Sequence, residues 1–182
     1  MLGVLTILAA GMLAAGTGTS SGTGTGSPPP TEEEALISAA VVYNIARFST
    51  WAETPDGRGT QGRFFEVCYE PGGGMADALA TIAGKDVGGR PVRPVPVSAE
   101  RGWSRRCHVY LAPDGADADT LSRIAAGGTL TVGRGDRFWR RGGAVRLRID
   151  GKPRFSVNVR TARAAGVQPS SKLLRLAEEV IQ

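Results

Sequence analysis

The clearest alternation of apolar and polar positions lies toward the carboxyl end of the chain. Val145, Leu147 and Ile149 alternate with Arg146 and Arg148. After Asp150-Gly151 the pattern resumes as Phe155, Val157 and Val159 against Arg154, Ser156 and Asn158. A period of two around a short Asp-Gly break predicts a β-hairpin with one apolar and one polar face. Helical spacing is plainest near the other end. Thr31-Glu32-Glu33-Glu34 reads as a capping box whose acidic first turn suits the helix dipole. Leu36, Ala40, Tyr43 and Arg47, with Ile37, Val41 and Phe48 beside them, extend it to a helix of about 17 residues. Trp51 follows at its exit, before a Pro55-Asp56-Gly57 turn.

Shorter apolar runs lie between. Residues 63–69 (RFFEVCY) predict a strand ended by Pro71 and three glycines, and residues 75–83 a short helix closed by Gly84. Residues 92–97 alternate with prolines, which cannot donate to a ladder, and so predict an edge strand. Residues 107–111 and 129–132 read as buried strands around a helix at 117–126, closed by Gly127-Gly128. A last helix is expected from Ser170 or Ser171 as N-cap, carrying Leu173, Leu174, Leu176, Ala177, Val180 and Ile181. Helices interleaved with short strands predict an α/β domain with helices on both faces of a sheet and an antiparallel hairpin at one side.

The first residues bear on the compartment. Residues 2–15 are an almost unbroken apolar run ending in Leu13-Ala14-Ala15-Gly16. The run suits the apolar stretch of a signal peptide and is short of the roughly 20 residues that span a bilayer. No basic residue precedes it. Residues 17–30 are rich in Gly, Thr and Ser and end in three prolines, the composition of a disordered linker. The expected organisation is therefore a signal-peptide-like segment at 1–16, a linker at 17–33 and one α/β domain at 34–182. No cysteine lies near the apolar run, so a lipid anchor is not expected.

The chain has two cysteines, Cys68 and Cys107, an even count that in an exported protein predicts a disulfide. Closing that loop of about 40 residues would stabilise the fold by roughly 4 kcal/mol. Two separate buried thiols are the alternative. A flush register between the two cysteine-bearing strands would hold the pair beyond the ~7 Å that bridged Cα atoms tolerate. A stagger between those strands is therefore expected.

Charge changes the picture little. The net charge is +5, and of 22 basic residues only Lys85, Lys152 and Lys172 are lysines. The arginines are scattered and never form a run longer than two, unlike the basic stripe of a nucleic-acid binder. Arg146, Arg148 and Arg154 share the polar hairpin face, where like charges repel, so that face should meet acidic side chains, water or an anionic partner.

Catalytic chemistry finds little support. His108 is the single histidine, and no G-x-S-x-G nucleophile elbow is present. Zinc would have to combine Cys68, Cys107, His108 and a carboxylate, yet adjacent Cys107 and His108 point to opposite faces of a strand. Thr131-Val132-Gly133-Arg134-Gly135-Asp136 fails as a dinucleotide turn because Phe138 stands where the third glycine belongs. Its Arg-Gly-Asp triplet is a chance product of an Arg- and Gly-rich chain. Neither a cofactor nor a metal is expected.

Ordered motifs add a resemblance. Residues 39–48 (AAVVYNIARF) with Trp51 resemble the opening helix of the YfiR family, also called DUF4154, including Tyr43, Asn44 and Phe48. Gly84-Lys85, Gly89-Arg90-Pro91-Val92, Cys107-His108-Val109, residues 130–133, Arg141-Gly142-Gly143 and residues 155–158 follow in the family's order. Ala164-Ala165-Gly166 and Ser170-Ser171-Lys172-Leu173-Leu174-Arg175-Leu176-Ala177 complete it. The resemblance runs from about residue 34 to the carboxyl end. It implies a Rossmann-like three-layer α/β sandwich, a mixed sheet with an antiparallel C-terminal hairpin, in a periplasmic regulator that is often a homodimer. It further implies repression by sequestering the periplasmic part of a membrane diguanylate cyclase or a similar sensor kinase, with less cyclic-di-GMP and biofilm formation. Cys68 and Cys107 sit at the positions of the family's disulfide. The second cysteine pair that some members carry near the hairpin is missing here. A runner-up reading is a small-molecule sensor with its pocket at the carboxyl ends of the strands.

Overall fold

A computed structural model describes residues 30–52, 62–98 and 107–182. The signal-peptide-like segment, most of the linker and the turn expected at 55–57 lie outside the described residues.

The capping box forms as its spacing requires. Thr31 Oγ1 accepts from the Glu34 amide at 3.2 Å and Glu34 Oε2 accepts from the Thr31 amide at 2.9 Å, opening α1 at Glu32–Arg47. That backbone hydrogen bond, aided by Arg134, holds the Glu34 carboxyl below its usual range, although burial pulls the other way. The helix buries Ala35, Ser38, Ala39, Val42, Ile45 and Ala46, a stripe of mostly small residues that lets it lie close against its neighbours. The chain continues through β1 (Ser49–Trp51), β2 (Phe65–Tyr69), α2 (Met75–Ala80), β3 (Asp86–Val87), β4 (Arg90–Pro96) and β5 (Val109–Ala112). Then come α3 (Ala118–Ala126), β6 (Leu130–Arg134), α4 (Gly135–Arg140), β7 (Val145–Asp150) and β8 (Lys152–Asn158). It ends with α5 (Val159–Ala164), β9 (Val167–Pro169), α6 (Ser171–Leu174) and β10 (Glu179–Ile181).

Eight strands form one mixed sheet in the order β10-β8-β7-β6-β5-β2-β4-β3. β4, β2, β5, β6 and β7 run parallel, and β7 turns back antiparallel into β8, giving the expected hairpin. Alternation sorts the side chains to two faces. Phe65, Val67, Val109, Leu130, Val132, Val145 and Leu147 join the large core that includes α1 and α2, while Cys68 and Tyr110 join Leu121, Ile124 and Phe138 from α3 and α4. The result is the three-layer α/β arrangement that the pattern predicts.

Several boundaries differ from expectation for identifiable reasons. The proline-rich strand is not the sheet's edge: β3 pairs antiparallel outside the start of β4. The prolines fit because the Val97 amide donates to the Tyr69 carbonyl at 2.9 Å, so odd-numbered amides face β2, while Pro94 and Pro96 fall on the side β3 does not reach. Val159 does not extend the hairpin, since Asn158 accepts from the Thr161 amide and starts α5 instead. The Arg-Gly-Asp triplet is no loop: Arg134 ends β6, and Gly135 and Asp136 open α4.

The last helix is the largest departure. Ser170 caps α6 as expected, accepting from the Leu173 amide at 3.2 Å, but the helix makes a single turn. The Glu178 amide then donates to the Phe155 carbonyl, and β10 lies parallel beside β8. A continued helix would place Glu178 and Glu179 at its carboxyl end, where the dipole repels negative charge, and β-branched Val180 and Ile181 favour a strand. As a strand, the same segment sets Glu178 against Arg148 and Arg154 and Glu179 against Arg146. The polar hairpin face thus meets acidic side chains of its own chain.

Candidate functional site

The expected cysteine pair is bridged, Cys68 to Cys107, with Cα atoms 5.9 Å apart. The route differs from the expected stagger. Cys68 stands opposite Tyr110 in the ladder, so Cys107 by strand register would lie three residues back along the sheet. It escapes because the backbone turns at His108, whose amide donates toward β2 at Glu66 while its carbonyl accepts from Leu130 of β6. In a regular strand both groups point the same way; here, as at a bulge, the chain swings Cys107 onto the α3 face. Thr129 Oγ1 holds the displaced Cys107 carbonyl at 2.7 Å.

His108 goes to the other face, as its neighbour's placement requires. Its ring stacks on Phe65 at 4.5 Å, its Nδ1 accepts from the Glu66 amide at 3.0 Å, and its Nε2 faces Arg90 Nη1 at 2.8 Å. Burial, with the Arg90 charge adding to it, lowers its pKa to about 4, so the imidazole is neutral at pH 7. Trp51 Nε1 donates to the His108 carbonyl and its ring meets Phe65 edge-on at 5.0 Å. This cluster plugs the amino ends of β2 and β5.

The motif residues form three separate groups rather than one site. The β1–β9 ladder brings Phe48 and Trp51 to the carboxyl-terminal motif: the Ser170 amide donates to the Phe48 carbonyl and Lys172 Nζ lies 4.9 Å from the Phe48 ring. Leu173 is buried there, Leu174 half-buried and Ser171 exposed. Tyr43 donates to the Asp86 carbonyl, and Asn44 donates back to the Ala40 carbonyl of its own helix. Gly142, at φ 88°, lets the chain turn after α4, and a Cβ on Gly143 would fall inside the Phe138 ring.

That third group supports a cavity. Phe138 packs on Gly133 as well, where a Cβ would come within 2.6 Å of its ring. Seated there, α4 holds the β5–α3 loop: Asp114 Oδ1 accepts from the Phe138 amide, and Arg141 Nη1 donates to the Gly115 and Ala116 carbonyls, both at 3.0 Å. The loop walls a cavity of about 280 Å³ at the carboxyl ends of β2, β5 and β6. β2 leads to β4 on one side and β5 leads to β6 on the other, so the cavity sits where the strand order reverses. Open α/β sheets bind ligands at that point. Its wall is mainly apolar, with Met75, Leu111, Val132 and Leu147 among the lining, and with Glu70, Asp114 and Arg134 as its charged members. Tyr110 donates to Glu70 Oε1 at 2.8 Å; burial and that carboxylate push the phenol well above its ordinary pKa and keep it a donor. Arg134 is tied to Glu34 at 3.0 Å. In the sequence, Pro71 and the three glycines after it read only as a strand terminator. The available signal was a glycine-rich turn at a strand's carboxyl end, here with all three glycines at positive φ.

Among the described residues, no group of three or more His, Cys, Asp and Glu side chains is placed to hold a metal ion. No curated protein matches the chain. One similar solved structure is the "conserved domain protein" of Vibrio cholerae O1 biovar El Tor, at 16% identity and a TM-score of 0.46, covering 78% of this chain and 59% of that one. The chain thus matches less than two thirds of that protein's length. The model of the YfiR/HmsC-like family (DUF4154) matches residues 36–178, nearly the whole described domain. The chain belongs to the YfiR/HmsC-like family.

Proposed function

We propose that this protein is an exported, non-catalytic repressor that docks on the periplasmic domain of a membrane diguanylate cyclase, or of a similar sensor kinase, and lowers its output. Family membership across residues 36–178 carries the reading. The Cys68–Cys107 bridge supports it by fitting an oxidising compartment. Among the described residues no helix is long and apolar enough to cross a membrane, so the domain would act through a partner that does. Docking would bias the partner's conformational equilibrium toward its inactive state. The homodimer implied by the resemblance is part of the same proposal, and sedimentation velocity tests it.

The test is co-purification of the tagged protein with a co-transcribed membrane cyclase or kinase from detergent extracts. Capture by the oxidised protein, weakened by reduction or by Cys68→Ser, is the expected result. A properly folded, oxidised protein that leaves the sensor's output unchanged on deletion or overexpression would reject the role. The cavity at the strand ends favours a second reading, in which the domain senses a small molecule on behalf of its membrane partner.

A further inference from the structure

We propose that the outer face of α1 is the interface between two copies of this chain, the two helices lying antiparallel about a two-fold axis at Ala40. The inference rests on the homodimer reading above and names the face that forms it.

The face is unlike a solvated helix surface. While α1 turns Ala35, Ser38, Ala39, Val42, Ile45 and Ala46 inward, its other side presents Leu36, 41% exposed, with Ala40 exposed and Ile37 and Val41 half-buried. No charged residue stands between Glu34 and Arg47, in a chain of which 21% is charged. The outer side of α3, in contrast, carries Asp119, Ser122 and Arg123. A helix face turned to water is normally polar, and an apolar one marks a surface that meets something.

Charge placement names the occupant. Glu33, Ile37, Ala40, Asn44 and Arg47 recur at spacings of four and three, so they form one seam along the helix. Glu32 and Glu33 stand in its first turn and Arg47 in its last. Positions 33 and 47 are each seven residues from Ala40. An antiparallel copy therefore sets Glu33 against Arg47 of the second copy at both ends, the reciprocity that a two-fold axis demands. A parallel copy would set like charges together at both ends. Opposed helix dipoles favour the same antiparallel choice. The residue on the axis is alanine, small enough for helix axes to approach to roughly 8–10 Å. The end charges are also at hand. Among the described residues neither Glu32 nor Glu33 joins an ion pair, and Arg47 lies only over its own Tyr43 ring, at 5.6 Å. Glu34, by comparison, is already held by Arg134.

Sedimentation velocity of the purified oxidised protein, over about 1 to 100 μM, tests the face. The wild type should dimerise. Ala40→Arg, at the exposed centre of the seam, should weaken the dimer about tenfold or more while leaving the circular dichroism spectrum unchanged. Glu33→Arg and Arg47→Glu should each weaken it about threefold, and the two combined should restore it. Restoration separates pairing from helix propensity, because the combined variant carries both unfavourable end charges. Failure to restore it would overturn the antiparallel pairing. A dimer indifferent to Ala40→Arg would overturn the face and leave the homodimer reading standing. A wild type that stays monomeric throughout would overturn both. Loss of sensor capture by Ala40→Arg with the dimer intact would assign α1 to the membrane partner and overturn the second copy as its occupant. If Ala40→Arg fails to fold, the charge-reversal pair still decides.

Discussion

On the side of α1 and α2 the sheet presents Phe65, Val67, Val109, Leu130, Val132, Val145 and Leu147, all but fully buried. On the side of α3 and α4 it presents Cys68, Tyr110, Thr131, Arg146 and Ser156. The first face needs only shape and burial, each large side chain contributing roughly 1.5–3 kcal/mol. The second has fewer apolar groups and is held by other means: the disulfide, Thr131 Oγ1 accepting from the Ala144 amide at 3.0 Å, and Arg146 clamped by Asp136, Glu179 and Ser156. Where the sequence supplies little oil, covalent and charge-assisted links do the joining. Such links respond to redox state and to mutation of one partner, so the α3 side is the face on which oxidation and reduction act.

The disulfide should produce the largest effect. Cys68→Ser with Cys107→Ser is expected to cost roughly 4 kcal/mol of unfolding free energy in urea. Hydrogen exchange should quicken in α3, at Leu121 and Ile124, before it does in α1 at Ala39 and Val42. Equal loss on both sides would erase the distinction between the faces.

Next comes His108, which reaches through the sheet's amino end to the apolar face. Its folded pKa of about 4 lies below the ordinary 6.5, so the unfolded chain binds the extra proton first. The stability this neutral ring contributes is fully present above pH 6.5 and is lost as pH falls toward 4, on the order of 2–3 kcal/mol in all. Asn at 108 can still accept from the Glu66 amide. His108→Asn should therefore flatten the pH dependence of the melting temperature between pH 6.5 and 4.5. An unchanged slope would show that the ring is protonated in the fold.

Arg146 and Arg154 sharpen the comparison at the smallest scale. Both lie on the polar hairpin face, but the Arg146 side chain is 12% exposed and that of Arg154 49%. Arg146→Met is expected to cost about 2 kcal/mol, because it strips charged partners and the Trp139 contact together, and to speed exchange at Val180. Arg154→Ala, removing one exposed pair to Glu178 at 3.6 Å, should change stability by no more than about 0.5 kcal/mol. Both follow from denaturation midpoints.

Much of the frame was legible in the chain. The capping box set the start of α1 to the residue, and the period of two set the hairpin's faces, because both are local rules that tertiary contacts here reinforce. The carboxyl terminus was misread because Leu173, Leu174 and Leu176 have helical spacing, while the groups that overrule it, Arg146, Arg148 and Arg154, lie some thirty residues earlier. Of the cavity, only the glycine-rich turn after β2 was visible. Tyr69, Leu111 and Val132 are ordinary core residues until the sheet order brings three strand ends together.

By itself, then, the sequence determined the α/β class, the pairing of its two cysteines and its family, since these rest on residue type, short-range spacing and the order of motifs. Only the tertiary structure decided how Cys107 reaches Cys68, why the last segment is a strand and where a ligand could sit. Those depend on a backbone turn at His108, on charges distant along the chain and on the reversal of strand order between β2 and β5, none of which has a local signature.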